Sequence, residues 1–341
     1  MAPLTEIISM LIGQAFGQTR LPDIDFQGKT IIVTGANTGL GLECAKHLAR
    51  KNASRIILAC RDTTKGQRAV EAIFRQTRST GATNVEVWEL DLANYQSVTT
   101  FGARVCDHLP RLDAFVANAG MELQEYRRAE DLEIHLTVNV VSTFMSAIAV
   151  LPKLHETSEK YGIQTSLTFC GSMYHIFGPD NELDAGLPDN VDIFETLSTS
   201  DPAKTDIIWR YALSKLMVHQ CYHELVTALA SSKTRDWSKT VVNLVNPGWC
   251  GTELSRAKPH PIMERVFFAL MGWSAEKGSR VYVDAMVAGP SSHGNYMSEC
   301  KVQEESRYMR SERGLQIQRK MWRDLMRRIR QVSPEVADLI L

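Results

Sequence analysis

No charge of one sign dominates this chain. Its 38 lysines and arginines stand against 39 aspartates and glutamates, a formal net charge of −1. That balance gives no ground for nucleic acid or an acidic surface as partner. Paired cysteines are missing too. The seven present, at 44, 60, 106, 170, 221, 250 and 300, show no paired spacing, and most lie in apolar segments where free thiols act as small hydrophobes. A reducing, cytoplasmic setting is expected. The apolar stretch Ile7 to Ile12 is too short to span a bilayer and has no basic leader. It reads as an amphipathic helix packed on its own domain, with a role at a membrane surface or a substrate entrance as the alternative. The closing Asp-Leu-Ile-Leu carries no retrieval or peroxisomal signal. Repeats, low-complexity linkers and composition shifts are absent, so the 341 residues read as one domain. Metal spacing is lacking as well. His219 and His223 stand four apart on one expected helix with no third ligand, which suits a solvated or subunit-facing pair better than a metal site.

What the chain does have is strand–helix alternation. Thr30 to Val33, Arg55 to Cys60, Val85 to Leu90, Leu112 to Ala117, Leu167 to Cys170 and Val241 to Val245 are short apolar runs that predict strands. Between them Leu40, Cys44, Ala45 and Leu48, then Ala69, Val70, Ile73 and Phe74, then Val98, Phe101 and Val105 recur at helical spacing. Asn94 is placed to cap the third of these helices. A long apolar helix is expected over roughly 130–154, and another over 208–230. The pattern predicts an α/β fold with a doubly wound parallel sheet covered on both faces. Residues 1–25 form a leading segment and 26–341 the domain, with 249–275 as a loop over the substrate. The polar stretch 178–204 reads as a loop. A C-terminal helix over 314–331 turns Met321, Trp322, Leu325 and Ile329 inward, and its Lys and Arg residues read as a solvated face.

Tyr211 and Lys215, four apart on a helix, share one face. A free phenol with a pKa near ~10 is a poor proton shuttle at neutral pH, and a neighbouring cation favours its ionised form. Ser172 ends an apolar strand and can offer a hydroxyl to the same substrate oxygen. The turn Thr34-Gly35-Ala36-Asn37-Thr38-Gly39-Leu40-Gly41 joins a strand to a helix, where main chain and helix N-terminus suit a pyrophosphate. Its spacing is Gly-x-x-x-Gly-x-Gly. At the end of the second strand stands Ala59-Cys60-Arg61-Asp62. A cation there, with Lys65 as a second, suits a 2′-phosphate, while a solvated Arg61 paired with Asp62 is the alternative.

With all these motifs in one order, the chain resembles a short-chain dehydrogenase/reductase, in its retinol-dehydrogenase-like branch, close to fungal reductases of secondary metabolism. Further residues join the resemblance: Asp91-Leu92, Ala117-Asn118-Ala119-Gly120, Asn139, Pro247-Gly248-Trp249-Cys250-Gly251-Thr252 and Gly294 to Ser298. It implies a Rossmann-type fold and NADP(H). It implies Asn139, Ser172, Tyr211 and Lys215 as the catalytic set. Cofactor contacts would come from Gly35, Asn37, Thr38, Gly39, Leu40, Gly41, Arg61, Lys65, Asp91, Leu92, Asn118, Ala119, Gly120, Tyr211, Lys215, Pro247, Gly248, Trp249 and Thr252. Met173, Tyr174, Phe177, Trp209 and Trp249, with the apolar run from Ile262 to Met271, either wall a roomy pocket for an apolar small molecule or pack as ordinary core. The expected reaction interconverts a ketone or aldehyde and an alcohol. Isomerisation or dehydration without net redox change is one rival, and a cofactor-sensing protein without turnover another. The resemblance also implies a homodimer formed through the two long helices.

Overall fold

The computed structural model describes residues 3–77, 83–199, 207–233, 235–251 and 271–340. Its apolar runs form the strands β1 (Thr30–Thr34), β2 (Arg55–Cys60), β3 (Asn84–Glu89), β4 (Ala114–Ala117), β7 (Thr165–Cys170) and β8 (Thr240–Asn246), with β5 (Arg128–Ala129) and β6 (Leu132–Glu133) as a separate short ladder. Two strands, β9 (Tyr296–Ser298) and β10 (Lys301–Val302), have no strand signal in the sequence, being three and two residues long. The main sheet runs β10-β9-β8-β7-β4-β1-β2-β3 and is parallel except where β10 turns back on β9. Strand order reverses between β1 and β4. In such sheets the crevice at that reversal, beyond the carboxyl ends of the strands, is where ligands bind.

The central strands are buried on both faces, which is why they read as continuous apolar runs rather than alternating ones. One face packs Phe101, Phe115, Phe144, Phe169 and Leu216, with Phe144 and Phe169 stacked at 4.8 Å. The other packs Val33, Leu48, Val281 and Tyr282. The segment Leu136–Tyr161 is long and apolar enough to cross a membrane, yet it is almost wholly buried in the first of these cores.

Three expectations need correcting. The long helix does not start near 130 as a regular α-helix: Leu136–Ser142 is π-helical, and the α-helix follows as Thr143–Tyr161. Hydroxyl groups take part in this widening, since Thr143 Oγ1 donates to the carbonyl of Val138 at 2.8 Å, five residues back. The stretch 178–204 is not plain loop. It holds a 3-10 turn, Asp180–Gly186, and a helix, Ile193–Thr199, whose Ile193 and Phe194 are fully buried. The basic C-terminal helix, Glu312–Val332, buries Ile317, Met321, Leu325 and Ile329 as its spacing implies, but its cations are not simply solvated. Lys320 and Arg328 are buried. Lys320 bonds Asp324 and the Val191 carbonyl, and Arg328 reaches Asp131, Asp192 and Glu195. Acids at 131, 192 and 195 turn Arg328 inward, and no local pattern announces them, whereas the acid of Lys320 is its own helical neighbour four residues on.

The leading segment forms the helix Leu4–Phe16. It leaves Leu4, Ile8, Ile12 and Phe16 exposed and buries a polar residue, Gln14.

Candidate active site

The glycine turn is built as its sequence demands. Gly35 and Gly39 have φ of 65° and 57°, in the left-handed region. A side chain at Gly41 would stand 2.7 Å from both Asn118 Nδ2 and the Gly35 carbonyl, so the close approach of helix to strand requires glycine there. Thr38, extended, precedes the helix Gly39–Arg50 and makes no side-chain capping bond to it, so the helix presents its first N–H groups. Asn118 is the strut of this corner. Its Nδ2 donates to the Thr34 carbonyl at 2.7 Å, and its Oδ1 accepts from the Tyr282 hydroxyl at 2.9 Å. The Ala119 N–H donates to Thr34 Oγ1 at 2.9 Å. Tyr282 comes from the helix Ala275–Val287 and has no sequence signal.

Beside the turn lies a cavity of about 280 Å³ lined by Gly35, Asn37, Arg61, Lys65, Asp91, Leu92, Ala119 and Gly120. Leu40 points instead toward Gly278. Asp91 is held by its own loop, where its Oδ1 accepts from the Ala93 N–H at 2.9 Å. Asn94 caps the next helix through the Ser97 N–H. Asp62 pairs with Lys65, at 4.0 Å between charged atoms, and not with Arg61. Among the described residues no carboxylate forms an ion pair with Arg61, which is exposed at the cavity rim. Glycines where a ligand must approach, helix N–H groups and a cation without a partner acid fit a dinucleotide carrying an extra phosphate.

The four residues of the expected catalytic set lie at one end of this crevice. Asn139 sits in the π-helical stretch and bonds the main chain of Met121 both ways, donating to its carbonyl at 3.0 Å and accepting from its N–H at 2.9 Å. It also donates to Ser214 Oγ at 2.9 Å. Lys215 is buried, donates to the Cys170 carbonyl at 2.9 Å, and stands 5.7 Å from the centre of the Tyr211 ring. Ser172 follows β7, and its hydroxyl accepts at 3.1 Å from the N–H of Tyr174, the residue whose ring packs on Tyr211. Burial pushes the phenol well above its ordinary pKa, Cys170 and Glu122 add to this, and Ser172 pulls the other way.

The residues expected around a substrate divide into two groups. Tyr174 packs edge-on against Tyr211 at 6.1 Å, Phe177 against Tyr174 at 6.0 Å, and Trp209 against Phe177 at 6.1 Å, an aromatic line from the phenol to the surface. Phe177 and Trp209 border a cavity of about 600 Å³. Met173 lies elsewhere, with its N–H on Asn246 Oδ1, bordering a second cavity of about 500 Å³ under the N-terminal helix. Pro247 accepts from Cys250 Sγ, and Gly248 adopts φ 77°. Trp249 is gripped by Gln14, whose Oε1 accepts its N–H at 2.7 Å and whose Nε2 donates to its carbonyl at 3.2 Å and to that of Met271 at 2.7 Å. Thr252 and the apolar run 262–270 lie outside the described residues.

His219 and His223 are not a solvated or subunit-facing pair. His219 is fully buried, and both rings bond Glu305. The Ser172 N–H donates to His219 Nε2 at 3.3 Å. His219 continues the four-residue spacing of Tyr211 and Lys215, and that extension is the one signal that points to it.

A model of the short chain dehydrogenase family matches residues 29–166. A short chain dehydrogenase/reductase of Cryptosporiopsis sp. is 37% identical over 334 residues, covering 96% of this chain and 99% of the relative. A short-chain dehydrogenase of Penicillium roqueforti is 34% identical, covering 98% and 86%. Among solved structures, an NADP complex of Pseudomonas aeruginosa RhlG superposes with a TM-score of 0.59 at 19% identity, over 81% of this chain and 96% of the other. An Escherichia coli short chain dehydrogenase complexed with NADPH gives 0.57 at 21%, over 82% and 99%.

Proposed function

The chain belongs to the short-chain dehydrogenase/reductase family, and from that premise we propose that it is an NADP(H)-dependent, cytoplasmic oxidoreductase interconverting a ketone or aldehyde and an alcohol on a bulky, largely apolar secondary metabolite. The observation that carries this reading is the convergence of Asn139, Ser172, Tyr211 and Lys215 at the end of a crevice whose other rim carries Arg61 without a partner acid.

Arg61 and Lys65 would hold the 2′-phosphate, the Gly35–Gly41 turn the pyrophosphate, and Asp91 with Leu92 the adenine end, while Asn118 keeps the turn in shape. The 247–251 loop would face the nicotinamide, which when bound supplies or takes the hydride. The chain's own residues handle the proton. Tyr211 donates it to the developing alkoxide, and the Ser172 hydroxyl donates a hydrogen bond to the same oxygen. The Lys215 ammonium, 5.7 Å from the ring centre, would favour the phenolate left behind. Asn139, through Ser214 and the Met121 main chain, holds the Tyr211 helix against the loop after β4. Because the phenol's pKa is raised, its protonated form persists through neutral pH. Reduction should therefore stay flat from pH 6 to 8, and oxidation should rise with pH.

Tyr174, Phe177 and Trp209 offer the apolar contacts that favour a bulky substrate. NADPH oxidation measured against a panel of fused-ring and small polar ketones tests the reading, with the product identified by mass spectrometry. Turnover of the fused-ring ketones with one NADPH consumed per product supports it. Preference for small polar ketones overturns the substrate class, and product formed without NADPH loss points to isomerisation or dehydration. Tyr211→Phe should lower kcat by about 10²–10⁴-fold while leaving NADPH affinity within twofold.

A further inference from the structure

We propose that Glu305, His219 and His175 form a positioning device that clamps the main chain of Ser172 from both sides. This rests on the catalytic role of Ser172 given above.

The protonation pattern follows from the partners. An N–H only donates, so His219 Nε2, which faces the Ser172 N–H, is an acceptor. The ring proton of His219 is then on Nδ1, 2.6 Å from Glu305 Oε1. His175 obeys the same logic: its Nε2 accepts from the Ser306 N–H at 3.2 Å, and its Nδ1–H donates to the Ser172 carbonyl at 2.7 Å. The two rings stack at 4.1 Å and 18°. Both main-chain groups of the serine are thus held by imidazoles. Gly171 makes this approach feasible, because a side chain there would lie 2.7 Å from His219 Nε2. Glu305 anchors the assembly from the segment after β10 and also bonds His223, which is partly exposed and links the cluster to solvent.

Facing His219 are Lys215 and His223 on its own helix, His175 across the stack, the Tyr296 ring at 5.1 Å, and Glu305. Burial lowers the His219 pKa, and it lowers that of His175 to about 3. Burial alone would raise that of Glu305, but the bonds from His219 and His223 outweigh it and leave the acid below its ordinary range. Near neutral pH the cluster therefore holds one carboxylate and two neutral rings. Protonating His219 would set a second N–H against that of Ser172, and the clamp would open. Since this pKa lies below the usual histidine value, the loss comes on the acid side of neutrality.

His219→Leu, His219→Gln and Glu305→Gln test the device, each compared with Ser172→Ala by thermal melting, NADPH titration and kcat from pH 4.5 to 8. His219→Leu is expected to lower kcat by about 10- to 100-fold with NADPH affinity unchanged. His219→Gln presents a carbonyl that accepts without titrating, so most of kcat should return and the acid limb should disappear. Glu305→Gln should lower kcat by a smaller factor. The proposal is overturned if folded His219→Leu keeps full kcat, if NADPH affinity falls in step with kcat, or if His219→Gln keeps the acid limb. Should His219→Leu fail to fold, full kcat in folded Glu305→Gln overturns it as well. Full activity in Ser172→Ala would instead strike the catalytic reading beneath it.

Discussion

The two halves of the sheet meet the crevice with different materials. From β1 to β4 the site is made of main chain and glycine: left-handed residues at 35 and 39, a contact at 41 that admits no side chain, and one asparagine strut. From β7 onward it is made of buried polar side chains drawn from distant parts of the chain. Gln14 grips the loop at 249, His219 and Glu305 hold the strand end at 172, and the Lys320–Asp324 pair ties the C-terminal helix to 191–193. The glycine turn at 34–41 is contiguous in sequence, and only its Asn118 strut and the Tyr282 hydroxyl behind it come from elsewhere in the chain. The other half is held by bonds whose partners lie from 47 to 235 residues apart.

That contrast can be broken experimentally. The largest effect on folding should come from Lys320→Met, which leaves Asp324 buried with Arg327 as its remaining cation. A loss of about 3 kcal/mol is expected, read as a lower midpoint in urea. Gly41→Ala should strike the other half. With 2.7 Å to two polar atoms, the added methyl must push helix or strand aside, and KM for NADPH should rise by more than about tenfold at nearly unchanged kcat for saturated enzyme. Arg61→Ala removes a cation proposed to hold the 2′-phosphate. It should cost about tenfold in KM for NADPH and little for NADH, whereas equal effects on both would remove Arg61 from phosphate recognition. Gln14→Ala should have the smallest effect, a few-fold rise in KM through a looser 247–251 loop with the melting temperature a few degrees lower. If Gln14→Ala proves more damaging than Gly41→Ala, the proposed division between a local and a long-range half is wrong.

Legibility follows the same line. Strands β1, β2 and β8 can be placed within a residue or so, because burial on both faces makes them continuous apolar runs bounded by turns. Tyr211 and Lys215 stand out because helical spacing puts them on one face, and Asn94 because a cap needs only its own turn. The π-helical stretch at 136–142 could not be read, since the same residues suit an α-helix and side-chain bonds from Thr143 and Asn139 help set the register. His219 could be seen as a neighbour of Lys215 but not as a ligand of Ser172, because nothing near it in sequence names Glu305. Arg328 looked solvated for the same reason.

Taken alone, the order of residues determined the parallel sheet, the glycine turn and the placing of Tyr211 and Lys215 on one helix face, because each depends on spacings within a single element or turn. Only the tertiary structure decided that a glutamine from the first helix would lock the loop at 249, that two stacked histidines would hold the serine at 172, and that Arg328 of the last helix would turn inward. Those outcomes depend on where a buried donor finds its acceptor, and in this fold the acceptor is supplied by a part of the chain that no local pattern connects to it.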